Sequence, residues 1–493
     1  MHTYRLFTQR VILIASTNLL TVLSGIILLP ILTKNMTIAD YGAWAQIMAT
    51  IVVVPSIVML GLTSSIVRYI PSLEDKKQIQ EAFYSISFVV LFTSLISCAL
   101  IYIFSQAIAS HFFNNNTIIV QILAPILFIE TINILFLNYM RARQLIKKYT
   151  FILLIKNTSL LVLVSYFVIS GENIYSATIG LLIATFLTLI ILIFAVVSSV
   201  GFTFPNFRHI QEYLHFGVPT IPANLSNWIV NSSDLYIIGF LLSTASVGYY
   251  SPGYSLGSSI SILWAPLAFI LPSVLSQYYE KKQIEEVRTI MRYSLKYFLL
   301  LAIPAVFGIS LLSRPILIIL TTPEISSQGA LITPFSAVSA LVFGIYSIII
   351  QILVLEKRTK IIGKIWIISA LLNIGLNFLL IPHIGIIGAA ITTLFAFVYA
   401  LAATLYSSPK KFKINLEYRY LLKYIFASII MSIIILKLNP FGITAILTTV
   451  VICAIFYFIL LLALNVFEKK EILFFKGFIR QINMKKNKNS EEI

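Results

Sequence analysis

Charge is scarce in this chain. Only 11% of its 493 residues are Asp, Glu, Lys or Arg, against about 25% in an ordinary soluble domain. With 59% of the residues hydrophobic, a soluble fold is excluded, because no water-facing surface of this size could be covered with polar groups. Cysteine is nearly absent. Cys98 and Cys453 sit inside apolar runs, so there is no disulfide framework and no redox or zinc spacing. The five histidines, His2, His111, His209, His215 and His383, are scattered and form no metal-binding helix motif. There is no Walker A sequence and no G-x-S-x-G elbow. The chain is therefore expected to be no enzyme, to hold no metal and to need no cofactor. Acidic residues number 18 against 35 basic ones, a formal net charge of +17.

What fills the chain instead is long apolar runs, each about the length that crosses ~30 Å of hydrocarbon. Backbone groups without water must satisfy themselves, and unbroken runs select helices over a barrel. Fourteen helices are expected: Val11–Thr33, Tyr41–Val67, Phe83–Ser105, Ile118–Met140, Tyr149–Ile169, Ile174–Ser198 and Tyr213–Leu242 in the first part. Tyr249–Leu275, Ser294–Leu312, Leu331–Leu355, Ile361–Ile381, Ile384–Tyr406, Tyr420–Leu436 and Ile443–Val466 complete the set. The first run follows Arg5 and Arg10 and is too long for a signal-peptide core, so it reads as a retained helix. The outer loops are expected to be short, the largest being Gln106–Thr117 and Ser313–Ala330.

Basic residues test this layout independently. With a cytoplasmic N-terminus, 31 of the 35 fall on the inner side and only Lys34, Arg314 and Lys437 on the outer, leaving Lys156 within a helix. That bias orients the chain with both termini cytoplasmic. The high net charge is thus a topology signal, and nucleic acid is not an expected partner.

A weak internal repeat organises the helices. Asp40-Tyr41-Gly42 opens the second helix, which leads to Arg68-Tyr69-Ile70-Pro71-Ser72 and Lys76-Lys77-Gln78. Val247-Gly248-Tyr249-Tyr250 opens the eighth, which leads to Pro272-Ser273 and Lys281-Lys282-Gln283. Six helices map onto the next six in the same orientation, as in some transporters. The expected division is an N-terminal six-helix lobe (1–205), a C-terminal six-helix lobe (206–408), two additional helices (409–470) and a cytoplasmic basic tail (471–493).

Polar groups at membrane depth mark function, because they are costly there unless they face a cavity or a partner. Glu130 lies near the middle of the fourth helix. Asn224, Asn227, Asn231 and Asp234 recur at steps of three and four, one stripe on one face of the seventh. Trp228 flanks the stripe, and Pro219 and Pro222 predict a bend before it. Lys156 and Lys364 enter the bilayer near the inner side, where snorkelling to the interface is the simpler explanation. Arg68 sits at a helix end, and Trp264 lies in the eighth helix.

The stretch Phe216-Gly217-Val218-Pro219-Thr220-Ile221-Pro222, with Asn231-Ser232-Ser233-Asp234 and Val247-Gly248-Tyr249-Tyr250, resembles the polysaccharide-transporter, Wzx-type flippase branch of the multidrug/oligosaccharidyl-lipid/polysaccharide (MOP) superfamily. Asp40-Tyr41-Gly42, Leu60-Gly61-Leu62, Arg68-Tyr69-Ile70-Pro71 and Arg141-Ala142-Arg143 match further positions, so that the resemblance spans roughly residues 6–465. It implies an all-α integral membrane fold on the MATE-like plan, two six-helix bundles around a cavity that opens to each side in turn. It implies a bacterial cytoplasmic membrane and a polyprenyl-diphosphate-linked oligosaccharide of O-antigen, capsule or exopolysaccharide as cargo. A polysaccharide polymerase and export machinery would be its further partners. Lipid II flippases share the plan but carry arginines on the cavity face of the first two helices; here the first helix has Asn18 and no internal arginine.

On this reading the cavity offers Arg68, Lys156 and Lys364 to phosphate. Asn224, Asn227, Asn231, Trp228 and Trp264 face sugar, and Glu130 and Asp234 are candidates for ion coupling. Two rivals remain. One is a drug/cation antiporter of the same fold, using the same two carboxyls for H⁺ or Na⁺. The other is a membrane scaffold that transports nothing.

Overall fold

The computed structural model describes residues 2–171, 173–409, 412 and 418–467, and before Leu20 it describes the side chains of Leu13 and Thr17 alone. The expected basic tail at 471–493, together with Lys410 and Lys411, lies outside the described residues. The first half comprises α1 (His2–Asn35), α2 (Ile38–Val58), α3 (Leu62–Tyr69), α4 (Lys76–Ile103), α5 (Ser105–Phe112), α6 (Thr117–Ala142), α7 (Ile146–Gly171) and α8 (Ile174–Val200). Then follow α9 (Ile210–Gly217), α10 (Ile221–Leu241), α11 (Thr244–Ser258), α12 (Ser261–Glu280) and α13 (Ile284–Leu320). The last are α14 (Pro323–Ile349), α15 (Gln351–Leu355), α16 (Thr359–Ile384), α17 (Ile386–Ser407), α18 (Tyr418–Leu438) and α19 (Ile443–Ala463).

Each expected run is helical, and 12 helices among the described residues are long and apolar enough to cross a bilayer. The polar α10 and the described part of α1 fall short of that test but stand in the expected places. Helix starts follow local chemistry: Thr37, Asp75, Asn173 and Ser243 each cap a free backbone N–H at the head of α2, α4, α8 and α11, satisfying donors that have no intrahelical partner.

Several expected helices are interrupted. The run from Tyr41 breaks at Leu60 and Gly61, whose φ values are +49° and +70°. A side chain at Gly61 would also sit 2.1 Å from the carbonyl oxygen of Gly217, so only glycine allows α9 to lie against this turn. The run from Tyr213 breaks into α9, a single 3-10 turn over Val218–Thr220 and α10, because Pro219 and Pro222 withhold two N–H donors. The run from Tyr249 divides between α11 and α12. The outer loops differ from expectation: Ser105–Phe112 forms α5, and α13 and α14 leave only Thr321 and Thr322 of the expected loop Ser313–Ala330.

Hydrophobic packing separates along the chain. Buried residues of α1 to α8 form clusters of their own, around Ile47, Val164 and Leu181 and around Ile86, Leu135 and Leu192. Those of α10 to α19 form others, and α18 and α19 pack on α13, where the Tyr457 hydroxyl donates to the Leu300 carbonyl at 2.9 Å. Large side chains such as Phe92, Tyr166, Phe194 and Leu371 are exposed, the pattern of a surface solvated by lipid. The fold is an all-α, multi-pass membrane fold.

The two groups of helices meet at one end, along α2, α10 and α11. A side chain at Gly42 would stand 1.9 Å from the Thr244 carbonyl oxygen, and one at Gly248 2.2 Å from that of Ile38, so the backbones touch. Gln46 donates to the Leu235 carbonyl at 3.0 Å, Trp228 to that of Ala49 at 3.3 Å, and Thr50 bonds the Tyr236 hydroxyl. At the rim, the Lys34 ammonium donates to the Ile319 carbonyl at 2.9 Å, near the end of α13. At the opposite end α12 packs on α13, α14 and α15 of its own group.

Candidate functional site

The stripe on α10 runs from the surface into the protein. Asn224 is exposed, Asn227 and Asn231 are half-buried and Asp234 is buried. Asn231 donates its amide to the Asn227 carbonyl at 2.8 Å, so these two turn toward each other along the helix.

Asp234 is the centre of a buried network. Its Oδ1 accepts from Asn377 at 2.8 Å, and its Oδ2 accepts from Thr393 at 2.6 Å and from the Tyr250 hydroxyl at 2.9 Å. Asn377 also donates to Asn373 Oδ1 at 3.1 Å and accepts from Thr392 at 2.6 Å, while Ser233 donates to Asn373 Oδ1 at 3.1 Å. The carboxylate thus lies among α10, α11, α16 and α17 with neutral partners only, an arrangement in which its charge is costly to desolvate. Its three direct partners, the Asn377 amide and the Thr393 and Tyr250 hydroxyls, are all donors to it. Sequence reasoning found Asp234 but missed Asn373, Asn377, Thr392 and Thr393. The two asparagines are spaced four apart, the same signal that marked the stripe on α10.

Glu130 is in a different place. It is buried on α6 and paired with Lys156 of α7, and Asn133 donates to its other oxygen at 3.2 Å. Both partners of this pair are therefore engaged within the first group of helices. The remaining candidates stand apart. The Arg68 guanidinium lies 4.5 Å above the Phe216 ring, a cation–π contact that ties α3 to α9. Lys364 is exposed on α16. Trp264 packs edge-on against Phe343 at 5.2 Å, inside the second group.

Between α2 and the α10–α11 pair lies a cavity of about 320 Å³. Tyr41, Trp44 and Met48 line it from one side and Asn231, Asp234, Tyr250, Ser251 and Tyr254 from the other. Here a polar residue of the expected stripe meets the opposite group of helices across open space.

A family model described as "Polysaccharide biosynthesis protein" matches residues 31–324. Among curated proteins, the chain is 24% identical over 218 residues to the probable low-salt glycan biosynthesis flippase Agl15 of Haloferax volcanii, covering 44% of this chain and 45% of that protein. It is 27% identical over 262 residues to the probable lipid II flippase MurJ of Rickettsia prowazekii, covering 50% of each. The chain spans about half the length of these curated relatives. Among solved structures, a lipid II flippase MurJ in an inward closed conformation superposes with a TM-score of 0.73 at 20% identity, covering 91% of this chain and 98% of that one. An inward-facing multidrug resistance MATE family transporter of the MOP superfamily gives 0.65 at 15% identity, covering 78% and 93%.

Proposed function

Given that the chain belongs to the polysaccharide biosynthesis protein family, within the MOP superfamily, we propose that it is a flippase for a lipid-linked glycan. The physical task is to move a diphosphate and its sugars past a layer that rejects both, while the polyprenyl tail stays in lipid. The observation that carries this reading is the division of the helices into two groups, in contact along α2, α10 and α11, with polar residues buried behind the contact. On this reading the groups are two six-helix lobes, α18 and α19 are additions to the second, and both termini are cytoplasmic. Arg68 and Lys364 stand at the cytoplasmic end, where a diphosphate would first be met, and Lys156 lies deeper.

Two cargoes fit. One is the polyprenyl-diphosphate-linked repeat unit of O-antigen, capsule or exopolysaccharide. The other is lipid II, which gains weight from the MurJ likeness in sequence and in fold and loses some from the lack of any arginine between Val11 and Val58. Asp234 is the better candidate for coupling. A proton or a monovalent cation arriving there would neutralise a buried carboxylate that has only neutral partners, whereas Glu130 already has Lys156.

The test is reconstitution. Proteoliposomes loaded with fluorescent undecaprenyl-diphosphate trisaccharide or lipid II are assayed for exposure of the label to an impermeant quencher. One of the two lipids crosses, and Asp234→Asn slows it by about tenfold or more, the effect of ~1.4 kcal/mol on the rate-limiting step. Failure of both lipids to cross, with efflux of an organic cation instead, returns the protein to the antiporter reading.

A further inference from the structure

We infer that the cavity between α2 and the α10–α11 pair is a sugar-binding subsite, built to hold a single pyranose ring of the cargo. The inference rests on the flippase reading and adds a place and a chemistry to it. Tyr41, Trp44 and Ser251 line the cavity and are only 7%, 5% and 7% exposed. The phenol of Tyr41, the indole N–H of Trp44 and the hydroxyl of Ser251 make no hydrogen bond to another described residue, and none of these polar atoms is sealed from solvent. Polar groups that line one cavity and are not spent on the protein are free to bond a ligand rich in hydroxyls.

The remaining lining gives the shape of that ligand. Trp44 and Tyr41 from one lobe and Tyr254 from the other offer aromatic surface, which suits the apolar C–H face of a sugar ring. Ser232 and Ser255 add hydroxyls that can donate or accept as the sugar requires. At about 320 Å³ the space lies at the small end of ligand sites, enough for a small sugar and too little for a whole repeat unit. An organic cation would also like aromatic walls and a carboxylate. Here, however, the lining also carries several hydroxyls and the Trp44 N–H, groups that suit the hydroxyls of a sugar, and the N–H is a donor that cannot face a cation. The subsite lies along Tyr41 to Val52 of α2, on the far side of the Met59–Gly61 break from Arg68. A diphosphate at the basic end and a sugar at the seam would therefore be bound apart. Because the two walls belong to different lobes, the sugar would be released when the seam opens.

The experiment measures binding of two kinds of lipid to the purified full-length protein by thermophoresis. One is undecaprenyl diphosphate without sugar. The other is a panel of undecaprenyl-diphosphate monosaccharides bearing glucose, galactose or N-acetylglucosamine. The wild type is expected to bind at least one sugar-bearing lipid about tenfold more tightly than the bare one. Trp44→Phe, which keeps the packing but removes the N–H, and Ser251→Ala are expected to cut that ratio to about threefold or less without changing affinity for the bare lipid. A merely structural role would weaken both lipids alike and overturns the subsite. So does equal binding of bare and sugar-bearing lipids by the wild type, or Trp44-dependent binding of tetraphenylphosphonium in place of sugar. Failure of the wild type to bind any of these lipids overturns the flippase reading itself.

Discussion

Lys156 and Glu130 sit on adjacent helices, and each removes the other's need for water. The pair is buried, so its two halves are worth little together and much apart: breaking such a pair from one side costs about 3–5 kcal/mol, while replacing both can be nearly neutral. Glu130→Gln is therefore expected to lower the melting temperature of the purified protein markedly, with Lys156→Met in the same chain restoring much of the loss. Equal, additive losses in the double variant would mean that the pair carries no shared energy. The snorkelling expected of Lys156 fails at this same residue. A lysine two turns from the interface can reach either water or a nearby carboxylate, and sequence spacing within α7 says nothing about which helix will stand beside it. Asp234 was legible because its stripe lies on one helix. Its partners on α16 and α17 were not, because hydrogen bonds between residues some 140 to 160 positions apart leave no trace in local periodicity.

Among the elements, the apolar runs could be read in full because lipid demands a helix wherever twenty apolar residues continue. Their interruptions were less legible. Pro219 and Pro222 announced the bend before α10, since proline removes a donor whatever its surroundings. Gly61 gave no such notice: its role depends on Gly217, which approaches it from α9. This contact makes a sharp forecast. Gly61→Ala places a methyl against the Gly217 carbonyl and forces a non-glycine residue into the left-handed region, a combination expected to cost at least ~2 kcal/mol. In a thermal melt the variant should unfold well below wild type, whereas Gly363→Ala, where added bulk meets open space, should match or slightly exceed it. The loop expected over Ser313–Ala330 went wrong for a similar reason. The expected loop holds Arg314 and Glu324, yet both fall inside the helical limits of α13 and α14, at ends where charged side chains reach water without breaking the helix.

For the molecule as a whole, the proposed orientation rests on 31 basic residues against 3. Single cysteines at Ser246 and at Lys281 should then be labelled by an impermeant maleimide from outside only and from inside only, respectively. Labelling of both from one face would remove the assigned orientation. One of the three exceptions to the charge bias has a structural occupation: Lys34 hydrogen-bonds a carbonyl at the end of α13, reaching from the first group of helices to the second. Lysine is so rare at that rim that, with the orientation above, it shares the outer surface with Lys437 alone. Chemistry directed at primary amines would thus see two sites on intact cells, one that spans the lobes and one on α18 that does not. An acylating reagent should modify Lys437 at a constant rate and Lys34 slowly while the seam is closed, then quickly once it parts. The ratio of the two adducts in a mass spectrum would report, without any engineered probe, how often the seam parts in a living cell.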